Sequence, residues 1–289
     1  MVFKIGKNSH IDPAAQIKVK DGYIGENSKI EAYVRINADY LEIGDRSILR
    51  PYSHIEGRHI KLGHEAYLDE LALIGGGSAF DPESFIECGD FLHMGKRCEL
   101  NPARGITAGH ELGAGVETKI FTHGTYQSAW DGFPIQWEGV KIGDRVWLPN
   151  AWVNPGVKIG DNIVVAAGSL VNNDLPSGCL AGGVPAKILK ENVYPRRLTE
   201  EQEDQLFKYI LSQAERITVD RGLGIYKMEK EGRGSYKVND VLFHIENFDI
   251  EKNKINGPAN DMSEILKNQL RRNGIRFRYK VENNKYVPW

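Results

Sequence analysis

The chain has no long apolar run, no excess of either charge and almost no cysteine. Its 289 residues carry 37 Lys and Arg against 39 Asp and Glu, a formal net charge of −2. The cations are scattered, so the basic footprint of a nucleic-acid-binding protein is excluded. The N-terminal MVFKIGKNSHIDPAAQIKV has no apolar core of signal-peptide length, and no segment is long enough to span a bilayer. No membrane insertion and a cytoplasmic location are therefore expected. Cys88, Cys98 and Cys179 form an odd set without CxxC spacing, which suits core filling in a reducing compartment.

What the chain does contain is a repeat. An aliphatic residue followed by Gly, Asp, Glu or Asn returns every six residues: Ile5-Gly6, Ile11-Asp12, Ile24-Gly25, Ile30-Glu31, Ile36-Asn37 and Ile43-Gly44. The period resumes at Met94-Gly95 and Leu100-Asn101. It is clearest at Ile142-Gly143, Leu148-Pro149, Ile159-Gly160 and Val165-Ala166, and ends near Val171. Four residues past the aliphatic, a small or β-branched residue recurs, as at Ser9, Ser28, Ser47, Val146 and Ser169. Six does not fit a helix of 3.6 residues per turn; it fits short strands separated by sharp turns. Stacked coils would bury the aliphatic columns and pair strands at about 4.8 Å per layer. The fold class is an all-β solenoid.

Two stretches disturb the period and are candidate functional loops. One lies at about 56–93 and contains Gly75-Gly76-Gly77; the other runs from His123 to Gly139. After Pro195 the pattern changes. Thr199 with Gln202 reads as a capping box opening a helix, and Leu206, Phe207, Ile210, Leu211, Ala214 and Ile217 follow at helical spacing. Alternating segments near 225–230 and 236–246, a second helix at about 261–273 closed by Gly274, and the strand-like IRFRYKV complete the chain. The expected domains are 1–195, the solenoid, and 196–289, a small α+β domain. Lys267, Arg271, Arg272, Arg276 and Arg278 form a cationic cluster there, read either as surface charge or as a contact for a phosphate-bearing acceptor.

The segment 140–190 contains IGDRVW, NPGVKIGD, AAGSLV and GGVPAK. These resemble the terminal coils of the hexapeptide-repeat acyltransferases, which act on galactosides, maltose, xenobiotics and nucleotide sugars. The resemblance covers 1–190 as a repeat and 120–190 as specific motifs, and does not reach 196–289. It implies a left-handed parallel β-helix, a homotrimer, and acetyl-CoA or another short acyl-CoA bound as co-substrate between subunits. By similarity the pantetheine arm runs beside the turns of Asn150 and Ala167-Gly168. Small residues there let backbone amides approach a ligand, or serve simply as corners. Lys187 and Lys190 fall where the family places basic groups near the CoA phosphates.

The resemblance also puts the family's general base at His123, whose imidazole could take a proton from an acceptor hydroxyl. His110 is the alternative base, and His93 has a weaker claim. Trp130, Asp131, Trp137 and Glu138 follow in the loop and suit either an acceptor pocket or packing onto a neighbouring subunit. Trp147 reads as coil packing. The acceptor that the resemblance implies is a small sugar or nucleotide sugar, acylated on a hydroxyl, or on an amine that needs less help from a base. His54, His59 and His64 raise a zinc site of the γ-class carbonic anhydrase kind, but their surroundings do not resemble that family's, and no metal site is assigned. A non-catalytic trimeric binding protein is the remaining alternative.

Overall fold

Aliphatic residues at six-residue intervals, each followed by a turn-forming residue, fold here into flat coils with three faces. A computed structural model describes residues 3–246 and 249–288. On the first face Ile5, Ile24, Ile43 and Leu62 pair in parallel register, and the column continues through Cys88, Ala108, Ile142 and Ile159. The second face stacks Ile11, Ile30, Leu49, Leu68, Met94, Ala114 and Leu148. The third stacks Ile17, Ile36, Ile55, Ile74, Leu100, Ile120, Val153 and Val171. Most of these side chains are fully buried; burying one of their size contributes about 1.5–3 kcal/mol. The architecture is a parallel β-solenoid of about nine coils.

The corner between the first and second faces is pinned twice. Inside, the backbone N–H of Ser28 donates to Ser9 Oγ, that of Ser47 to Ser28 Oγ and that of Ala66 to Ser47 Oγ. This is the physical reason for the small residue four places past the aliphatic. Outside, each backbone N–H donates to the side chain one coil further on. Asp45 donates to His64 Nδ1, His64 to Asp90, Asp90 to His110 Nδ1, His110 to Asp144 and Asp144 to Asp161, at 2.7–3.0 Å. Each of these residues follows a glycine, because a Cβ there would meet the next coil: at Gly44 it would lie 2.5 Å from the backbone nitrogen of His64.

The corner between the third face and the first is different. In early coils, strands Gln16–Ile24, Arg35–Ile43 and His54–Leu62 run straight across it. Later it carries two inserted loops, at 75–85 and 122–139. The first is narrower than the disturbance expected at 56–93, because His54–Leu62, Tyr67–Leu68 and Leu73–Ile74 keep the coil register. The solenoid also passes Val171: Leu175 bridges Ile159, and Leu180–Gly183 adds a further parallel strand. The three cysteines are buried and free, and burial pushes the Cys88 and Cys98 thiols up to about 12, so neither is an available nucleophile.

The chain divides into two compact units, 1–195 and 196–289. In the second, helix α1 (Glu200–Asp220) opens on a complete capping box between Thr199 and Gln202. It buries Phe207, Ile210 and Ala214 in a core with Tyr236, Phe243 and Ile255 of a six-stranded antiparallel sheet. Helix α2 (Asp261–Arg272) is capped by Asn260 and Ser263. The segment at 236–246 is two strands, Ser235–Val238 and Val241–His244, because Asn239 turns the chain at φ 52°. The strand Lys254–Pro258 is not marked by any alternation in the sequence. The cationic cluster does not form as a unit: Lys267 turns inward to Glu264 and the Tyr279 hydroxyl, and Arg278 pairs with Glu251. Among the described residues no helix is long and apolar enough to cross a membrane.

Candidate active site

His123 lies where the chain leaves the third face at the end of strand Lys119–Phe121. There it opens a hairpin of two short strands, His123–Gly124 and Gln136–Trp137, in which His123 pairs directly with Trp137. The two rings stack with centroids 5.1 Å apart. His123 Nδ1 is buried with no hydrogen-bond partner among the described residues, and so is Oδ1 of Asn101 in the coil before. Thr122 is fully buried; its hydroxyl donates to the Asn101 carbonyl at 2.9 Å and accepts the backbone N–H of Arg104 at 2.8 Å. Asn101, Arg104 and Thr122 therefore belong to the surroundings of His123, although none stood out in the sequence. The available signal was positional, since both loops and the Pro102–Gly105 turn interrupt the period between the third and first faces.

The other loop residues separate. Trp137 is half-buried against His123, and Glu138 follows it, with its N–H on the Thr122 carbonyl and its carboxylate over Gly156. Trp130 and Asp131 sit in a 3₁₀ turn at the loop tip. Trp130 is 98% exposed, so the chain does not bring it or Asp131 to His123.

The residues matched to acyl-CoA gather at another corner, between the second and third faces. Asn150 (φ 53°) takes one fewer residue to turn than this corner does in the other coils, Leu148 to Val153 against Met94 to Leu100. Gly168 stacks on it, donating its N–H to the Asn150 carbonyl at 2.9 Å, and Ala167 is exposed beside it. Lys187 and Lys190 are exposed on strand Ala186–Lys190, which folds back on Leu180–Gly183. Gly182, the pairing partner of Lys187, lies against Ala166, so Lys187 borders the same corner, while Lys190 pairs with Leu180 further along the strand. Trp147 packs on Gly113 as coil packing requires, yet remains 42% exposed beside Asn150.

Four of the other histidines have structural partners. His110 Nδ1 accepts the Asp90 N–H at 3.0 Å, and His64 Nδ1 that of Asp45 at 3.0 Å, as rungs of the corner ladder. His93 stacks on Tyr67, and His59 on Tyr40. His54, His59 and His64 occupy a face and two different corners of one coil and do not converge. Since aspartate fills the ladder position in other coils, His110→Asp is expected to keep both melting temperature and activity. His110→Ala should cost about 1 kcal/mol, the loss of one hydrogen bond, with kcat unchanged. A large kcat loss in His110→Asp would return the base to His110.

No family model matches the chain. The galactoside O-acetyltransferase of Escherichia coli is 29% identical over 139 residues, 44% of this chain and 68% of that protein. A protein of the same organism named as a lipopolysaccharide biosynthesis O-acetyltransferase is 42% identical over 67 residues, 23% of this chain and 34% of that protein. Among solved structures, a hexapeptide-repeat acetyltransferase of Vibrio cholerae, complexed with acetyl-CoA, is 24% identical with a TM-score of 0.36, over 58% of this chain and 69% of that one. The chain thus spans about two thirds of one curated relative and a third of another. The chain is similar to these proteins chiefly through its six-residue repeat. The proteins it is similar to are named as acetyltransferases, some of them for galactosides or for polysaccharide biosynthesis.

Proposed function

We propose that the chain is an acyl-CoA-dependent acyltransferase that moves an acetyl or other short acyl group onto a hydroxyl of a sugar or nucleotide-linked sugar. His123 takes the proton as the hydroxyl oxygen attacks the thioester carbonyl, and the thiol of CoA leaves. Trp137 and Glu138 border the acceptor, with Trp130 and Asp131 at the loop tip. Acyl-CoA lies along the Asn150, Ala167 and Gly168 corner, with Lys187 and Lys190 at its phosphates. Residues 1–195 form the catalytic domain and 196–289 an accessory domain, in a cytoplasmic enzyme. The observation that carries this reading is the stacking of His123 on Trp137 at the root of an inserted loop, in a solenoid whose relatives are acetyltransferases.

The base and the acyl-CoA residues stand on different corners of one coil stack. A complete site then needs the base corner of one subunit against the cofactor corner of another, and a homotrimer closes such pairs by symmetry. Sedimentation is expected to give a trimer, with acetyl-CoA binding by calorimetry and CoA release in the presence of a sugar acceptor. A stable monomer that still acylates would overturn the shared site.

A further inference from the structure

Arg104 sits in the short turn between the two inserted loops and touches both. Its guanidinium carbon lies 4.9 Å from the centroid of the Trp137 ring. Its Nε is 2.7 Å from the Glu83 carboxylate, in the loop 75–85, and its Nη1 is 3.9 Å from Asp81. Nη1 also donates to the Ala103 carbonyl at 2.8 Å. The backbone N–H of Arg104 is held by Thr122, the residue before His123. The side chain is thus fixed by one loop and the backbone by the root of the other.

The Arg104–Glu83 pair is a poor stabiliser of the fold, because Glu83 is 70% exposed and water screens the pair. A flat guanidinium over an indole is, however, a well-oriented contact. The hairpin that needs it is weak by itself: two residues per strand, with a tip that is fully exposed. Unrestrained, it would let the imidazole drift, and a misplacement of about 1 Å costs on the order of 10²-fold in rate.

We infer that Arg104 is the positioning residue of this site, holding Trp137 against His123 and coupling both to the loop 75–85. The inference rests on His123 being the base. It is tested in the full-length protein with Arg104→Ala, Arg104→Lys, Trp137→Ala, Glu83→Gln and the Arg104→Ala/Trp137→Ala double variant. Histidine ¹H–¹³C spectra are recorded, with the His123 signal identified from its loss in His123→Ala. Acetyl-CoA and p-nitrophenyl β-galactoside serve as substrates. Arg104→Ala should move the His123 Cε1–H signal toward its position in Trp137→Ala and lower kcat about 10-fold, with KM for acetyl-CoA and the melting temperature unchanged. Arg104→Lys, which keeps the charge but not the flat contact, should stay low. In the Trp137→Ala background, Arg104→Ala should add less than about twofold. An unmoved His123 signal, or rate effects that multiply in the double variant, overturns the inference. Should Arg104→Ala not fold, Glu83→Gln must shift the same signal in the same direction, and no shift is again fatal. Full activity in His123→Ala would instead sink the assignment of the base, while the spectra still report whether Arg104 sets the ring.

Discussion

Replacing His123 with alanine is expected to lower kcat by about 10²-fold or more while acetyl-CoA affinity stays within about twofold. The separation follows from the architecture. His123 leaves the third face at one corner, whereas Asn150, Ala167 and Gly168, proposed to hold acyl-CoA, stack at another, so truncating the imidazole leaves those residues in place and at most trims one contact made across the subunit boundary. The fold should survive as well. An aromatic stacking pair contributes about 0.5–1.5 kcal/mol beyond its buried area, too little to unfold a coil held by parallel pairing on both sides. A kcat loss with an unchanged melting temperature therefore reports chemistry. Steady-state rates with calorimetry on the same preparation check it, and retained turnover would remove His123 from the mechanism.

Gly44→Val is expected to destabilise the solenoid by about 3 kcal/mol. A Cβ at Gly44 would stand 2.5 Å from His64 N and 2.6 Å from the carbonyl carbon of Gly63. Both are backbone atoms of the next coil and cannot rotate away. Making room would stretch the Gly44 N–H to Leu62 carbonyl bond, now 2.9 Å, and the Asp45 bond to His64. Gly77 is the control, since a Cβ there meets nothing within 4 Å, and Gly77→Ala should stay within about 0.5 kcal/mol. Thermal unfolding of the two variants measures the contrast. Equal melting temperatures would mean that the coils can separate without loss.

The columns of the solenoid were legible because each aliphatic at its sixth position has one place to go, the interior. The capping box of Thr199 and Gln202 was legible for a similar reason, since both of its bonds are local. Less legible was what depends on neighbours one coil away. Arg104 reaches Glu83, Thr122 and Trp137 across three successive turns of one corner, and no local pattern marks it. His110 looked like a candidate base because a histidine's role is set by its partner, and that partner, the Asp90 amide, is 20 residues back. The extent of the first loop was overestimated because Ile55, Ile60, Leu68 and Ile74 keep the register amid less regular neighbours. In the second unit the Asn239 turn is hidden inside an alternating stretch, and Lys267, which reads as surface charge or as a phosphate contact, is drawn inward by Glu264 and Tyr279.

The third corner alone absorbs large changes in chain length. The step from third to first face is Ile17 to Ile24 in an early coil, Ile74 to Cys88 at the first loop and Ile120 to Ile142 at the second. The other two corners keep their six-residue step almost throughout, fixed by the serine rungs, the aspartate–histidine ladder, and Thr118 and Ser169. The molecule thus separates a ruler from its attachments. Loops at 75–85 and 122–139 can differ in length without resetting any layer, so what one edge presents can change while the frame does not.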